Sequence, residues 1–323
     1  MKFKSIIQTK AYDCNIKWRM TNLCNYRCSY CIQDADGVLA DIREAGKSQP
    51  GLAEINAKLL SAADTLNILM EQAPHTSFSL LLVGGEVSVL EIPSILRRLK
   101  SKKLKKLHIT TNLSASVSYY RAIREALPED CVFRLECSWH EEYTSAEAFL
   151  EKVKAASAFA DVSVEAVSTA DNGEKIDELI QHLQKTTFPW KIETDKRNKT
   201  SMEEKRKKCR SGWGTAPVGG PVRYTVTLED NSIKTYASAN RMVMELSPNG
   251  RFLEVEGHIC TEGWDNLDID GDMVFQRSET GECSRKRVPI SEFVWRKPLP
   301  CSGDQAKHCS LCGNMSLYEI PEH

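Results

Sequence analysis

The residues with the plainest capacity for chemistry are three cysteines close to the N-terminus. Cys24, Cys28 and Cys31 stand in the run Thr-Asn-Leu-Cys-Asn-Tyr-Arg-Cys-Ser-Tyr-Cys, a C-x3-C-x2-C spacing that supplies three thiolates from one short loop. An iron–sulfur cube is closed by four cysteines. Three leave one iron open to an outside ligand, and an open corner is a place for chemistry rather than scaffolding. The competing reading is a zinc site or a chance cluster of buried thiols. No fourth ligand stands nearby, since Cys14 lies ten residues upstream and the first histidine is His75.

Three later groups carry polar chemistry at the ends of apolar runs. Gly84-Gly85-Glu86 pairs a backbone free of Cβ atoms, able to approach a ligand closely, with a carboxylate suited to an ammonium group. Thr110-Thr111-Asn112 offers Asn112 as a ligand contact or as a plain turn residue. Glu136-Cys137-Ser138-Trp139-His140-Glu141-Glu142-Tyr143 contains a histidine, whose charge is easily moved across neutrality. His140 reads as an acid or base facing a substrate, or as a hydrogen-bonded structural histidine.

The cysteine run, with the aromatic Tyr30 directly before its third cysteine, resembles the signature of the radical S-adenosylmethionine (SAM) enzymes. That resemblance implies a [4Fe-4S] cluster on Cys24, Cys28 and Cys31. Its open iron would take the amino and carboxylate groups of SAM, which is then cleaved to a 5′-deoxyadenosyl radical that removes a hydrogen atom from substrate. It also implies SAM contacts at Tyr30, Gly84, Gly85, Glu86, Asn112 and Ser138. Two departures from the family pattern stand out: Val87-Ser88 follow Glu86 where Pro is common, and Leu113 replaces a usual Gly. Some family members return the hydrogen atom from a cysteine thiol, which makes Cys137 and Cys209 candidates beside His140. The plain reading of a lone cysteine is a small apolar core residue.

Five more cysteines lie toward the C-terminus: Cys260, Cys283, Cys301, Cys309 and Cys312, the last two as a C-x2-C pair. With Cys260-Thr-Glu-Gly263 and the run from Leu267 to Val274, they resemble the SPASM and Twitch extensions that hold auxiliary clusters. Gln276 stands where the longer pattern has a cysteine, so the expectation is one auxiliary [4Fe-4S] cluster on four of the five. Spacing alone serves a structural zinc equally well.

These groups need elements to position them. Short β-rich runs at residues 15–20, 77–83, 107–111, 132–137, 162–167 and 191–194 alternate with helical patterns at 52–72, 92–100, 118–127, 146–158 and 175–184. Strands separated by helices pair in parallel through right-handed crossovers. Periodicity alone predicts an α/β fold, as barrel or open sheet. The resemblance selects a partial (β/α)6 TIM-like barrel with its site at the carboxyl ends of the strands. A Gly/Pro-rich stretch at 211–221 marks a boundary between a core at 1–212 and a small β-rich iron–sulfur domain at 213–323, with strands at 222–228 and 251–255.

Composition narrows the function class. The hydrophobic fraction is 41%, the charged fraction 27% and the formal net charge −1, values of an ordinary globular protein without a global field toward nucleic acid. No run has the length of a signal peptide or a membrane span, and twelve cysteines then point to metal binding in a cytoplasmic protein. Two basic runs, 97–106 and 196–210, read as solvated surface or, at a site rim, as a grip for nucleic-acid phosphates. Only 23 residues precede Cys24, so no N-terminal peptide-leader domain is expected. The substrate is read as a small amino-acid- or sugar-derived molecule, with an external electron donor of the flavodoxin or ferredoxin type. The alternatives are a modified nucleotide or DNA base, a peptide read by a separate leader-recognition protein, and a non-enzymatic cluster or zinc-stabilised binding protein.

Overall fold

The computed structural model describes residues 3–8, 12–31, 49–195, 212–214, 224–228, 230–236, 259–260, 263–276, 286–297 and 299–300. The N-terminal strand β1 (Phe3–Gln8) is followed by β2 (Cys14–Thr21), α1 (Gln49–Gln72), β3 (Phe78–Gly84), α2 (Ile92–Leu96) and β4 (Leu104–Thr111). Then come α3 (Val117–Glu125), β5 (Val132–Trp139), α4 (Ala146–Ala156), β6 (Asp161–Ser168), α5 (Gly173–Leu183) and β7 (Trp190–Thr194). The C-terminal part contributes short strands: β8 (Gly212–Gly214), β9 (Tyr224–Leu228), β10 (Ile233–Tyr236), β11 (Ile259–Cys260), β12 (Asn266–Asp270), β13 (Met273–Gln276), β14 (Lys286–Pro289) and β15 (Leu299–Pro300).

The fold is α/β, as the alternation predicts. All six expected strands form, and β2 to β7 lie side by side in chain order, each parallel to the next. Stepping always in one direction, with the usual right-handed crossover, places every helix on the same face of the sheet. Each helix from α1 to α5 accordingly packs against the next. The strand alternation matches this one-sided cover. Phe133, Leu135, Cys137 and Trp139 of β5 are buried toward the helices, whereas Arg134, Glu136 and Ser138 are half-buried on the other face.

The sheet is wider than the six predicted strands. Parallel to β2 runs β12, with Asp268 opposite Lys17 and Asp270 opposite Arg19, and β13 and β14 continue outward. At the far side β8 adds antiparallel to β7. The resulting ten-stranded mixed sheet is open, because its edge strands β14 and β8 do not pair with each other. The β12–β13 turn has Gly271 at φ +62°, the left-handed region that favours glycine, and its carbonyl accepts from the buried Trp18 indole at 2.8 Å. A separate sheet joins β1 antiparallel to β9, with β10 outside it. The expected strand at 251–255 lies outside the described residues.

Helix ends show why parts of the sequence are as they are. Ser116 and Ser145 accept from the amides of Tyr119 and Ala148, which starts α3 and α4 where the pattern predicts. Helix α1 has no basic residue in its last turn. Lys103 supplies one from outside, donating from Nζ to the carbonyls of Met70, Glu71 and Ala73, each at 3.0 Å. Its neighbours in the first basic run are engaged nearby, Arg98 with Asp64 and Lys105 with Asp130. Residues 97–103 precede β4 and therefore sit at the amino edge of the sheet, an eight-residue strand away from the loops at its carboxyl edge. Replacing Lys103 by Ala is expected to lower the unfolding free energy by about 1–2 kcal/mol, read by urea titration, through loss of this cap.

Candidate functional site

The loops following β2 to β6 all leave the carboxyl edge of the sheet, where open parallel sheets and barrels place ligands. The cysteine loop at 22–31 follows β2 directly. Its path is fixed by the loop after β3, where Gly85 N donates to Thr21 O at 2.9 Å and Glu86 N to Leu23 O at 2.8 Å. A Cβ at Gly84 would stand 2.2 Å from Thr21 O, and one at Gly85 2.2 Å from Leu23 O and 2.6 Å from Asn22 O. The space these glycines leave is therefore filled by the cysteine loop itself.

Glu86 is 1% exposed. One carboxylate oxygen accepts from Ser88 N at 2.9 Å and Thr111 Oγ1 at 2.7 Å, the other from Asn112 N at 2.6 Å. Burial pushes its carboxyl up, and the hydrogen bonds from Asn112, Ser88 and Thr111 oppose that push. Asn112 extends the chain of contacts, donating from its side chain to Asn25 Oδ1 at 3.0 Å and accepting from Ser114 N. Leu113 holds φ +56°, in the left-handed region that favours glycine. The strain of about 1–2 kcal/mol is offset by burying the leucine, which is 2% exposed.

A second support reaches the cysteine loop from the segment after β5. Arg27 N donates to Tyr143 Oη, and the Tyr26 ring stacks on Tyr143 at 4.0 Å between centroids. Ser29 N donates to both carboxylate oxygens of Glu142. Tyr30 Oη donates to Glu141 Oε2 at 2.8 Å, while His140 Nδ1 lies 3.1 Å from Tyr30 Oη and 3.3 Å from Cys28 Sγ. Four successive loop residues, Arg27 to Tyr30, thus each meet a residue of 140–143. Asn172, after β6, holds Glu141 in turn with a 2.8 Å hydrogen bond.

Cys24, Cys28 and Cys31 are all free thiols, Cys28 buried and the other two half-buried. Burial first, and the neighbouring Cys24, Glu142 and Cys31 after it, push Cys28 up to about 12. Cys24 is also raised, chiefly by burial. Three thiolates here would repel one another, and a bound cation is what reverses that repulsion. Among the described residues no group of three or more His, Cys, Asp or Glu side chains is placed to hold a metal ion. Thiols that each take a different iron of a cube do not converge on one point, so that geometry bears on a single ion such as zinc.

The remaining sequence candidates are dispersed. Ser138 is half-buried on the polar sheet face, in register with Glu165. Cys137 is fully buried in the hydrophobic core on the helix face, its thiol 3.9 Å from Leu135 O and raised by burial. Cys260 ends β11, which pairs with β15. Cys209, Cys283, Cys301, Cys309 and Cys312 lie outside the described residues, as does the basic run 196–210. Gln276 is buried, and its amide oxygen, turned toward Arg296, accepts from the guanidinium at 2.7 Å. Sequence reasoning assigned no role to Asn25, Glu141, Glu142, Tyr143 or Asn172. The adjacent carboxylates directly after β5 are the signal that could have found two of them, Glu141 and Glu142.

Below the loops, the polar sheet face carries His108 and Glu136 on adjacent strands, 3.7 Å apart. Burial first, then Arg134 and Lys106, pull His108 down to about 3, so it is neutral and this contact is no ion pair. Its Nε2 is buried without a hydrogen-bond partner among the described residues.

No protein-family model matches the chain, and no curated protein does. Several solved structures are similar to part of it. One, described as "Native anSMEcpe with bound AdoMet", matches over 56% of this chain and 51% of its own at 11% identity and a TM-score of 0.38. Another, "Native anSMEcpe with bound AdoMet and Cp18Cys peptide", matches over 57% and 50% at 12% identity, again with a TM-score of 0.38. The chain spans about half the length of these structures. Likeness this distant transfers neither ligand nor activity.

Two outcomes test the geometry. Gly85→Ala is expected to cost about 3 kcal/mol in unfolding free energy, because its Cβ meets backbone atoms that have no rotamer to retreat into. For His108, the folded state releases the proton that the unfolded state still binds between pH 6.5 and about 3. Stability therefore falls as pH drops through 6.5, by at most about 5 kcal/mol from this group before allowance for solvent screening. Urea titrations across that range should show the acid limb flattened in His108→Leu.

Proposed function

We propose that this protein is a radical SAM enzyme: a [4Fe-4S] cluster held by Cys24, Cys28 and Cys31 binds and reductively cleaves S-adenosylmethionine. The observation that carries the reading is the fastening of a three-thiol loop at the carboxyl edge of a parallel sheet. The loop is bonded along its start to residues 85–86 and along its end to residues 140–143. A loop held that firmly suits three thiolates kept in fixed places with a fourth position open. The cluster, when bound, would supply the electron that breaks the sulfonium bond.

The chain's own residues do the arranging. Glu86 joins the ends of β3 and β4 through Thr111 and Asn112. Asn112 passes that position to the cysteine loop through Asn25. SAM is proposed to lie beside the loop toward Tyr30, Asn112 and Ser138, while Gly84, Gly85 and Glu86, which the loop covers, would serve by fixing the loop. In this reading the β2–β7 run is the wall of a partial (β/α)6 barrel. Residues 213–323 form a SPASM- or Twitch-like unit whose β12–β14 extend that wall, with one auxiliary cluster drawn from Cys260, Cys283, Cys301, Cys309 and Cys312.

The substrate is proposed to be a small amino-acid- or sugar-derived molecule that loses a hydrogen atom and is oxidised or rearranged. Electrons come from an external flavodoxin- or ferredoxin-like donor in the cytoplasm. Among the described residues no helix is long and apolar enough to cross a membrane. Against the nucleic-acid alternative stands the place of residues 97–103, which precede β4 at the amino edge of the sheet, away from the cysteine loop.

Anaerobic reconstitution with iron and sulfide, followed by reduction with SAM, tests the reading. About four irons per chain from the N-terminal loop, or about eight with the auxiliary cluster, are expected together with 5′-deoxyadenosine. Cys28→Ala is expected to lose about four irons and the nucleoside together. A fully loaded, reduced protein that leaves SAM intact across candidate substrates overturns it.

A further inference from the structure

The hydrogen bonds around His140 determine which of its nitrogens carries the proton. The Glu141 carboxylate accepts twice, from Asn172 Nδ2 at 2.8 Å and from Tyr30 Oη at 2.8 Å. Asn172 is itself oriented, because its Oδ1 accepts from Thr169 N and its Nδ2 also donates to Val167 O. The single hydroxyl proton of Tyr30 is therefore committed to Glu141. Toward His140 the Tyr30 oxygen has only lone pairs, and at 3.1 Å the imidazole Nδ1 must bring the proton. That same N–H faces Cys28 Sγ at 3.3 Å, so it is shared between the hydroxyl oxygen and the sulfur. The ring is kept in place by near-parallel stacking on Tyr30, with centroids 5.9 Å apart, and an edge contact with Tyr26 at 5.8 Å.

We propose that His140 is a positioning residue that donates its Nδ1–H to the Cys28 sulfur, in a tautomer dictated by the relay Asn172–Glu141–Tyr30. This assigns His140 a role different from acid or base toward substrate. Nε2 is left as the acceptor of the ring. The part that concerns a cluster rests on the proposed function, in which Cys28 is a ligand. Hydrogen bonds to ligand sulfurs are among the determinants of cluster potential, and a donor stabilises the electron-rich reduced form.

Two measurements separate the claims. In cluster-free full-length protein with 15N-labelled histidine, the His140 ring, assigned by its loss in His140→Gln, is expected to show the proton on Nδ1. Glu141→Gln offers Tyr30 a donor instead of an acceptor and is expected to admit the Nε2–H tautomer. A wild-type ring protonated on Nε2, or a tautomer unmoved by Glu141→Gln, overturns the relay. In reconstituted protein, His140→Leu is expected to shift the midpoint potential of the loop cluster to more negative values at equal iron content. Tyr30→Phe, which leaves the ring but frees its tautomer, is expected to shift it the same way by less. An unchanged potential in loaded His140→Leu overturns the donor role. Failure of the wild type to take up iron at the loop would instead sink the proposed function while the tautomer measurement still decides the hydrogen bond.

Discussion

Backbone passes against backbone where the end of β3 meets the cysteine loop, and the rest of the site depends on that contact. Residues 84–86 lie so near residues 21–23 that no side chain fits at Gly84 or Gly85. The contact turns two amides into donors for the loop. It also carries Glu86 into the protein, where its carboxylate has three donors and almost no water. Burying a carboxylate costs several kcal/mol. Hydrogen bonds to a charged group contribute about 1.5–3 kcal/mol each, so three of them offset that cost to within the same order. The ends of β2, β3 and β4 are thereby fixed relative to one another by a single buried group.

The one-sided helix cover explains why the opposite face can be polar. With every helix on one face, the core lies between helices and sheet, and the other face carries charges that a second helical layer would have to bury unpaired. Those charges are arranged across strands. Lys191 bonds Glu165 on β6 and Glu193 on its own strand, and Arg287 on β14 bonds Asp270 on β12. The C-terminal strand β12 contributes Asp268 and Asp270 beside Lys17 and Arg19 of β2. Burial raises the Asp268 carboxyl, and Lys17 and Arg19 pull against that. Residues more than two hundred positions apart in the chain thus complete one electrostatic surface below the cysteine loop.

How much of this was legible in the sequence follows the range of the interactions involved. Alternation along β5, apolar at 133, 135 and 137 and polar at 134, 136 and 138, is a local signal of the strand, and the succession of strands and helices gave its parallel pairing. Helix α2 is shorter than the expected 92–100, because after Leu96 the chain tightens into successive turns at Arg97, Arg98 and Leu99. Pairings set by distant segments left no local trace: β12 beside β2, β9 beside β1, Lys103 on the end of α1. The Gly-Gly pair shows the limit most clearly. Composition reveals that something must come close, and only the fold shows that the near neighbour is the cysteine loop. In the same way the sequence assigns no partner to Glu141 or Glu142, and the fold places them against the hydroxyl of Tyr30 and the amide of Ser29.

The departures from the resembling pattern become intelligible once the needs of Glu86 are known. Its carboxylate requires an amide from residue 88, a hydroxyl from 111 and an amide from 112. Residue 87 gives it nothing through its own N–H, so Val87 can stand there and bury its side chain in the turn that Glu86 caps. Leu113 takes a left-handed backbone despite its Cβ, and its amide donates to Thr111 Oγ1 at 3.1 Å. That bond helps orient the Thr111 hydroxyl, which also meets Tyr120 Oη at 2.8 Å and donates to Glu86. Thr111 gives the carboxylate its side-chain hydroxyl, whereas Ser88 and Asn112 give it backbone amides. The buried group thus joins the ends of β3 and β4, and the amides of Gly85 and Glu86 tie that junction to the loop that carries the three thiols.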